Sequence, residues 1–310
     1  MSRPLITVFG ATGGAGAGLV HALLAGGARD FRVRAATRRP GSAVAQRLSA
    51  LGAEVCAVDL DEPVTVDRAL AGAYGAFCHA PYREHGSAAR LLAQADTMAR
   101  AAQRAGLQHV VWSTLEDTRR FVDPDGTVMP VLQAQYNVPH FDARGHADQL
   151  FVGRGLPVTR LLGSLPWEVL FDGGLLRREA CGGLALWLPS AAGALPGIAA
   201  ADLGACAAAL FRQPQAAIGR RIGVASRHLD GAAMAATLAM TLGEPVRHHD
   251  AAAPGVDAEM LNLLHFLTHH GEKLRARRDP AVARSLHPGL QDFATWATRH
   301  AGLLAAAEGV

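Results

Sequence analysis

Lysine is almost absent from this sequence, because Lys273 is the only lysine among 30 lysine and arginine residues. Any chemistry that needs a lysine amine therefore has a single position available to it. Tyrosine is almost as scarce. The three tyrosines are Tyr74, Tyr82 and Tyr136.

Long apolar runs and paired cysteines are also missing. The most apolar long stretch, residues 191–210, is interrupted by Pro196 and Asp202, which argues against a membrane span. No signal-peptide pattern precedes the first apolar segment. The four cysteines form no Cys-x-x-Cys pair, so we expect reduced thiols in a cytoplasmic protein. They are Cys56, Cys78, Cys181 and Cys206.

Short apolar strands alternate with helical stretches through the first half of the chain. The predicted strands are Leu5–Phe9, Arg32–Thr37, Glu54–Asp59, Ala76–Ala80, His109–Ser113 and Val158–Leu162. The predicted helices are Gly16–Leu24, Ala43–Leu51, Thr65–Leu70, Ala88–Ala105 and Asp142–Val152. This alternation is typical of βαβ units, so we expect an α/β fold with a doubly wound parallel sheet of the Rossmann type.

A glycine-rich segment joins the first predicted strand to the first predicted helix. Residues 10–16 read GATGGAG, which places glycines at 10, 13 and 16. Such spacing permits a tight turn, a close approach of the backbone to a pyrophosphate, and close packing of helix on strand. The helix N-terminus then offers free N–H groups to the phosphates. A purely structural turn is the alternative, but the strand–loop–helix context favours a dinucleotide site.

The end of the second strand indicates which dinucleotide to expect. An NAD-binding protein commonly has Asp or Glu there, whereas this chain has Thr37, Arg38 and Arg39. Arginine can bind a 2′-phosphate through two hydrogen bonds, so we expect NADP(H). The alternative is a solvated basic turn. Asp59, with Leu60 after it, ends the third strand and is expected at the adenine, or alternatively as a helix cap.

These assignments predict a domain organisation. We expect residues 1–160 to form the NADP(H)-binding Rossmann domain. Residues 161–310 are expected to form a smaller C-terminal α/β region over the cleft, on the substrate side, with some segments returning to the Rossmann sheet. Residues 116–138 are rich in Asp, Gly and Pro and are predicted to be a loop that covers the site.

Several segments, in this order, resemble the NmrA-like family of atypical short-chain dehydrogenases, and within it the branch of NADPH sensors. They are VFGATGGAG, VRAATRRP, LGAEVCAVDLDEP, HVVWSTLED, HFDARGHAD, GLPVTRLLGSLPWEVL and LHPGLQDFATWATRH. The resemblance implies cofactor contacts at Gly10, Thr12, Gly13, Gly16, Arg38, Asp59, His79 and Ala80.

The chain departs from the family pattern at two places. The family's lysine beside the nicotinamide, in HFDxKG, is replaced by Arg144. The motif after the sixth strand is altered around Leu162, Ser164, Pro166, Trp167, Glu168 and Val169. With the neighbours of the glycine loop included, the candidate cofactor-binding residues are Gly10, Thr12, Gly13, Gly14, Ala15, Gly16, Thr37, Arg38, Arg39, Asp59, Leu60, His79, Ala80 and Arg144.

The catalytic pair of ordinary short-chain dehydrogenases, Tyr-x-x-x-Lys, cannot form in this chain. The residues four positions after the three tyrosines are Cys78, Gly86 and His140. By the resemblance, His140 and Arg144 occupy the Tyr and Lys positions, and Ser113 occupies that of the strand-five serine. The candidate catalytic residues are His140, Ser113 and Tyr136. A histidine acid assisted by serine is chemically feasible, but we favour the alternative that His140 and Arg144 only bind or orient the cofactor.

Two further clusters predict no separate function. His265 and His269 have the i, i+4 spacing of a helical metal pair, but no third ligand follows, so we expect no metal site. The basic run of residues 273–278 has no interleaved aromatic residues, and the net charge of +3 is small, so direct nucleic-acid binding is not expected.

Two functions remain. In the favoured one, the protein binds NADP(H) as a redox-sensing regulator that signals to a protein partner. In the alternative, it is an NADPH-dependent reductase or isomerase acting on a small carbonyl, quinone or imine with an unconventional acid. The aromatic and histidine residues expected near the cleft support the alternative. They are Trp112, Tyr136, His140 and Trp167.

Overall fold

The chain divides into two units in the computed structural model, which describes residues 3–25, 30–121, 129–180, 182–189 and 193–307. Unit 1 comprises Met1–Arg119, Pro139–Leu162 and Ala201–Ile222. Unit 2 comprises Arg120–Val138, Gly163–Ala200 and Gly223–Val310. Both units are therefore discontinuous in sequence.

A seven-stranded sheet forms the centre of unit 1. Its strands are β1 (Leu5–Phe9), β2 (Arg32–Thr37), β3 (Glu54–Ala57), β4 (Gly75–Cys78), β5 (His109–Thr114), β6 (Val158–Leu162) and β11 (Arg221–Gly223). The spatial order is β11-β6-β5-β4-β1-β2-β3. Each pair of neighbours from β6 to β3 is parallel, with Val8 opposite Ala35 on one side and Phe77 on the other. All five β1 residues are buried, as expected of a parallel strand covered on both faces.

The order of the strands determines where a ligand can lie. The chain runs from β1 outward to β2 and β3, then returns to the other side of β1 with β4 and continues to β5 and β6. The crevice between the carboxyl ends of β1 and β4 is thus the topological switch point, where open α/β sheets bind ligands. The predicted doubly wound Rossmann-type sheet is confirmed.

Helices connect and cover these strands. They are α1 (Gly14–Leu24), α2 (Ala43–Ala50), α3 (Pro63–Leu70), α4 (Ala88–Arg104), α5 (Pro139–Val152), α7 (Ala200–Arg212) and α8 (Pro214–Ala217). Two of them begin at side-chain caps, with Ser42 accepting from the Ala45 N–H and Ser87 from the Arg90 N–H.

Unit 2 contains two small three-stranded sheets. Their strands are β7 (Leu165–Pro166), β8 (Leu176–Arg178), β9 (Leu184–Trp187), β10 (Leu195–Ile198), β12 (Arg227–Leu229) and β13 (Val246–His249), ordered β12-β10-β7 and β13-β9-β8. The helices are α6 (Val169–Asp172), α9 (Gly231–Leu242), α10 (Ala258–Ala276), α11 (Pro280–Leu286), α12 (Phe293–Arg299) and α13 (Ala301–Ala305). Unit 2 takes residues 120–138 from the first half of the chain, whereas residues 201–222 belong to unit 1. Within the described ranges, no helix combines the length and apolar character needed to cross a membrane.

Segment boundaries differ from the predictions in a few places. The third strand ends at Ala57 rather than Asp59, and the helix predicted to begin at Asp142 begins at Pro139. Of the loop predicted over residues 116–138, a short 3₁₀ turn forms at Thr118–Arg120, and residues 122–128 lie outside the described residues, as does Cys181.

Candidate functional site

The glycine loop, residues 10–16, turns the chain from β1 into α1. Gly10 has φ +70°, and its carbonyl accepts the Gly13 N–H at 3.0 Å. The first helical bond runs from the Ala17 N–H to the Gly13 carbonyl at 2.8 Å. The N–H groups of residues 14–16 therefore have no helical acceptor, and they mark the positive end of the helix dipole. This is the arrangement that binds phosphate at helix N-termini.

The three spaced glycines have different roles. A Cβ on Gly16 would lie 2.1 Å from the Gly10 carbonyl oxygen, so this glycine permits the helix to pack on the loop. A Cβ on Gly10 would lie 3.3 Å from Cδ2 of His79. A Cβ on Gly13 would have one neighbour among the described atoms, the Gly10 oxygen at 3.4 Å. Space therefore remains beside Gly13, where a ligand would fit.

Thr37 ends β2 beside this loop, and Arg38 and Arg39 follow it. The Thr37 hydroxyl oxygen accepts the Arg39 N–H at 3.2 Å and lies 3.4 Å from the Thr12 hydroxyl. The Arg38 guanidinium forms an ion pair with Glu84, which sequence reasoning did not identify. Arg39 is exposed and forms no ion pair within the described chain. The basic end of β2 and the glycine loop are thus in direct contact through Thr12 and Thr37.

Asp59 organises the turn after β3. Its carboxylate accepts the Asp61 N–H at 3.0 Å, and its carbonyl accepts the Thr65 hydroxyl at 2.8 Å. The residue that caps α3 is Glu62, so Asp59 is not the N-cap of that helix. Asp59 and Leu60 are both half-buried.

His79 and Arg144 form a pair beyond the end of β4. Arg144 donates through Nη1 to Nδ1 of His79 at 3.2 Å and through Nη2 to the Ala80 carbonyl at 3.0 Å. Burial, and secondarily the Arg144 charge, lower the pKa of His79 to about 3. The ring is therefore neutral, and with Nδ1 as the acceptor its hydrogen is on Nε2. His79 also lies against Gly10. Gly10, His79 and Arg144 are therefore neighbours in succession at the switch point.

Arg144 is a half-buried cation that has no carboxylate partner in the described part of the chain. Burial, together with the charge of Arg83, lowers the pKa of Arg144 to about 10, which still leaves it charged at neutral pH. Its Nε is buried and has no hydrogen-bond partner. A buried donor and an uncompensated charge are costly unless an anion satisfies them, so this position favours an anionic group.

Two of the candidate catalytic residues, His140 and Ser113, belong to unit 1. The His140 ring lies 5.6 Å from the Tyr82 ring and 4.7 Å from the Phe141 ring, between centroids. Ser113 is 6% exposed, and no hydrogen bond joins its hydroxyl to His140. Tyr136 belongs to unit 2, is 2% exposed, and accepts a bond from Gln135 Nε2 at 3.2 Å.

The expectation that tryptophans line the cleft is wrong. Trp112 is fully buried, with its ring 4.8 Å from that of Phe151. Trp167 is 1% exposed and packs on Phe293 and Trp296 at 5.3 and 5.7 Å. Both rings fill the interior of their units, because β5 is covered on both faces and Trp167 lies in the aromatic centre of unit 2.

The altered motif after β6 supports the interior of unit 2. Glu168 accepts the Ala200 N–H with both carboxylate oxygens at 3.1 Å, and Trp296 Nε1 at 3.3 Å. Burial raises the pKa of this carboxyl group. Gly197 leaves room for Trp167, whose Nε1 would lie 2.3 Å from a Cβ there.

Helix α5 carries three residues whose contacts the sequence analysis did not identify: Asp142, Gly145 and Asp148. Asp142 accepts both the Thr118 N–H at 2.5 Å and the Thr118 hydroxyl at 2.6 Å. Gly145 allows the Asp117 backbone to approach, since a Cβ there would lie 2.6 Å from the Asp117 nitrogen. Asp148 accepts Thr114 Oγ1 at 2.7 Å and Trp112 Nε1 at 3.1 Å.

These contacts explain the polar and small residues of the segment HFDARGHAD. Residues 142, 145 and 148 hold the end of β5, while Arg144 extends to the end of β4. The signal in the sequence was the spacing of three between polar or small residues on a helix. Burial raises the pKa of Asp148, partly offset by its bond from Thr114.

Two histidines of α10 form a stacked pair. The His265 and His269 rings stack at 3.9 Å, and the described residues contain no group of three or more potential ligands. Lys273 and Arg277 lie over the Phe121 ring at 5.6 and 5.0 Å from its centroid. The basic run of residues 273–278 therefore begins in the last turn of α10 and continues past its end.

The family model of the NmrA-like family matches residues 2–144. This segment contains the glycine loop, the basic end of β2, and the His79–Arg144 pair. Residues 2–144 of this chain are therefore similar to the NmrA-like family.

A curated relative matches about a third of this chain. The NmrA-like family domain-containing oxidoreductase himF of Aspergillus japonicus is 34% identical over 113 residues, which is 36% of this chain and 34% of that protein. The chain therefore matches about one third of the length of this relative.

Solved structures share the fold over nearly the whole chain. The negative transcriptional regulator NmrA in complex with NADP has a TM-score of 0.79 at 19% identity, covering 99% of this chain and 98% of that one. The triphenylmethane reductase of Citrobacter sp. complexed with NADP(H) has a TM-score of 0.71 at 17% identity, covering 96% and 99%.

Proposed function

We propose that this protein binds NADP(H) along the carboxyl edge of the unit 1 sheet and acts as a redox-sensing regulator. The observation that carries the proposal is Arg144, a half-buried guanidinium with an unsatisfied Nε and no described carboxylate partner, placed beside the glycine loop through His79. An anionic ligand satisfies this group. The NADP complexes of NmrA and of the Citrobacter reductase support the choice of ligand.

Each part of the dinucleotide has a partner in the proposed complex. The pyrophosphate lies at the N–H groups of residues 14–16, in the space left by Gly13. Arg38 and Arg39 bind the 2′-phosphate, and Asp59 and Leu60 lie at the adenine. Arg144 and the Nε2–H of His79 face the remaining, nicotinamide-side portion. Bound NADPH supplies a hydride from its nicotinamide.

Three observations favour sensing over turnover. The sequence cannot form Tyr-x-x-x-Lys. Ser113 makes no hydrogen bond to His140. The two tryptophans expected near the cleft, Trp112 and Trp167, are buried. A regulator instead needs a surface that differs between the free and the bound protein, and a protein partner that binds one of the two forms.

The alternative is an NADPH-dependent reductase acting on a small carbonyl, quinone or imine. Its support is that himF is named an oxidoreductase and that a structural neighbour is a reductase. His140 is the candidate acid, since it is half-buried and precedes Arg144 by one helical turn.

Two measurements distinguish these functions. Calorimetry with NADPH, NADP⁺, NADH and NAD⁺ tests binding, and we expect the phosphorylated forms to bind more tightly. NADPH oxidation is then screened against aldehydes, ketones, quinones and imines, and we expect no turnover. Turnover that is lost in His140→Ala would establish the reductase in place of the sensor. Absence of binding by all four dinucleotides would contradict both.

A further inference from the structure

Arg38 has an anionic partner within the chain. Its guanidinium pairs with the carboxylate of Glu84, 46 residues further along the chain. Glu84 ends the short 3₁₀ turn Tyr82–Glu84 that follows β4. The proposed ligand of Arg38, a 2′-phosphate, therefore meets an arginine whose charge is already compensated.

The strand order explains how Arg38 and Glu84, which are distant in sequence, come together. Arg38 follows β2 and Glu84 follows the β4 segment, and β1 lies between β2 and β4 in the sheet. The two side chains thus meet across the carboxyl end of β1, which leads into the glycine loop. A dinucleotide on that loop has to share Arg38 with Glu84 or displace it.

We propose that Glu84 is a specificity-determining residue that competes with the 2′-phosphate for Arg38. It lowers the affinity for NADPH and leaves the affinity for NADH nearly unchanged, because NADH has no 2′-phosphate. The discrimination between the two ligands is then smaller than Arg38 alone would give. The inference rests on the proposed function, since it concerns the same site.

The exposure of the pair sets the size of the effect. The side chains of Arg38 and Glu84 are 46% and 42% exposed, so the ion pair is screened by solvent. Breaking such a pair changes affinity by about two- to fivefold. Arg90, another arginine of unit 1, is paired with Asp61.

The test is Glu84→Gln, which keeps the shape of the side chain and removes its charge. We expect the NADPH dissociation constant to fall by about two- to fivefold at low salt and the NADH constant to stay the same. Asp67→Asn is the matched control, because Asp67 is 42% exposed and paired with an exposed arginine, Arg104, elsewhere in unit 1. It removes the same charge and should leave the ratio of the two constants unchanged.

A double variant separates competition from general electrostatics. In an Arg38→Ala background, Glu84→Gln should no longer improve NADPH binding. The proposal is overturned if Glu84→Gln leaves the NADPH to NADH ratio unchanged, or if the gain persists without Arg38. If the wild type and the variant bind neither dinucleotide, the proposed function itself fails, which is a different result from equal binding of both.

Discussion

Arg144 donates a hydrogen bond from Nη1 to Nδ1 of His79 at 3.2 Å, and so joins α5 to the end of β4. The direction of this bond fixes the histidine as a neutral acceptor with its hydrogen on Nε2. The Arg144 cation and the neutral Nε2–H donor of His79 consequently lie side by side at the switch point. Both are suited to an anionic or carbonyl-bearing ligand.

Replacing Arg144 by alanine should affect both members of the pair. The pKa of His79, about 3 in the wild type, should rise towards its ordinary value as the neighbouring charge is removed and water enters. Binding of NADPH and of NADH should weaken by about tenfold or more, since a hydrogen bond to a charged group contributes about 1.5–3 kcal/mol. NMR titration of the His79 ring and calorimetry measure these effects.

Arg100→Ala is the control for the Arg144 variant, because Arg100 is 62% exposed and paired with Asp96 on the surface of α4. It should change neither the His79 titration nor the affinity. An Arg144→Ala variant that binds as tightly as the wild type would remove Arg144 from the site.

Two glycine substitutions should have opposite consequences. Gly13→Val should keep the melting temperature near that of the wild type and abolish NADPH binding, because its side chain meets little protein but fills the space for the pyrophosphate. Gly16→Ala should destabilise the protein by about 1–3 kcal/mol, because its Cβ would lie 2.1 Å from the Gly10 oxygen. Thermal melts and calorimetry on both variants measure this contrast, and normal binding by Gly13→Val would disprove the role of the loop.

Arg38→Ala should weaken NADPH binding about tenfold and leave NADH binding nearly unchanged. The value is at the low end of the range for charged hydrogen bonds, about 1.5 kcal/mol, because Arg38 is exposed and already paired. Added salt should reduce the difference. Arg32→Ala, at the other end of β2, is the control. Equal weakening of both dinucleotides would mean that the basic turn does not read the 2′-phosphate.

Folding stability should decrease in mild acid because of His109. This residue is fully buried, with Nε2 2.9 Å from the Thr159 hydroxyl, and burial lowers its pKa to about 4. The unfolded chain, with a pKa near ~6.5, binds the proton first. The contribution of neutral His109 to the free energy of unfolding is therefore complete above about pH 6.5. It is lost as the pH falls towards 4, by at most about 1.4 kcal/mol per pH unit.

Urea unfolding of the wild type and of His109→Gln between these pH values measures that slope. The variant should show a shallower dependence, and the remaining slope contains the contribution of His79, whose pKa is lowered in the same direction. His21→Gln, at an exposed position of α1, should keep the wild-type slope. Equal slopes in all three proteins would contradict the buried neutral state of His109.

Local patterns were sufficient to predict the sheet of unit 1. The strands at Leu5–Phe9, Arg32–Thr37 and Val158–Leu162 have the predicted bounds, because each is an apolar run limited by turn residues. The short strands of unit 2 were not predicted. With two to four residues each, they are too short to show a period, and their pairing depends on partners distant in sequence.

The candidate site was predictable only where its residues have a local sequence signature. The glycine loop and the basic end of β2 have local signatures, and the structure brings Thr12 and Thr37 together. Glu84 was missed because it meets Arg38 only through the strand order. Trp112 was misplaced because an apolar aromatic residue gives the same signal in a core as in a cleft.

The packing of α7 against α1 has a consequence for the synthesis of this protein. A Cβ on Gly18 would lie 2.3 Å from the Ala201 carbonyl, and one on Gly204 would lie 2.1 Å from that of Ala15, so the two backbones touch. The helix that carries the glycine loop therefore completes its packing with residues made some 180 positions later. A nascent chain that ends after β6 lacks this support, so we expect α1 to reach its final packing only once α7 has left the ribosome.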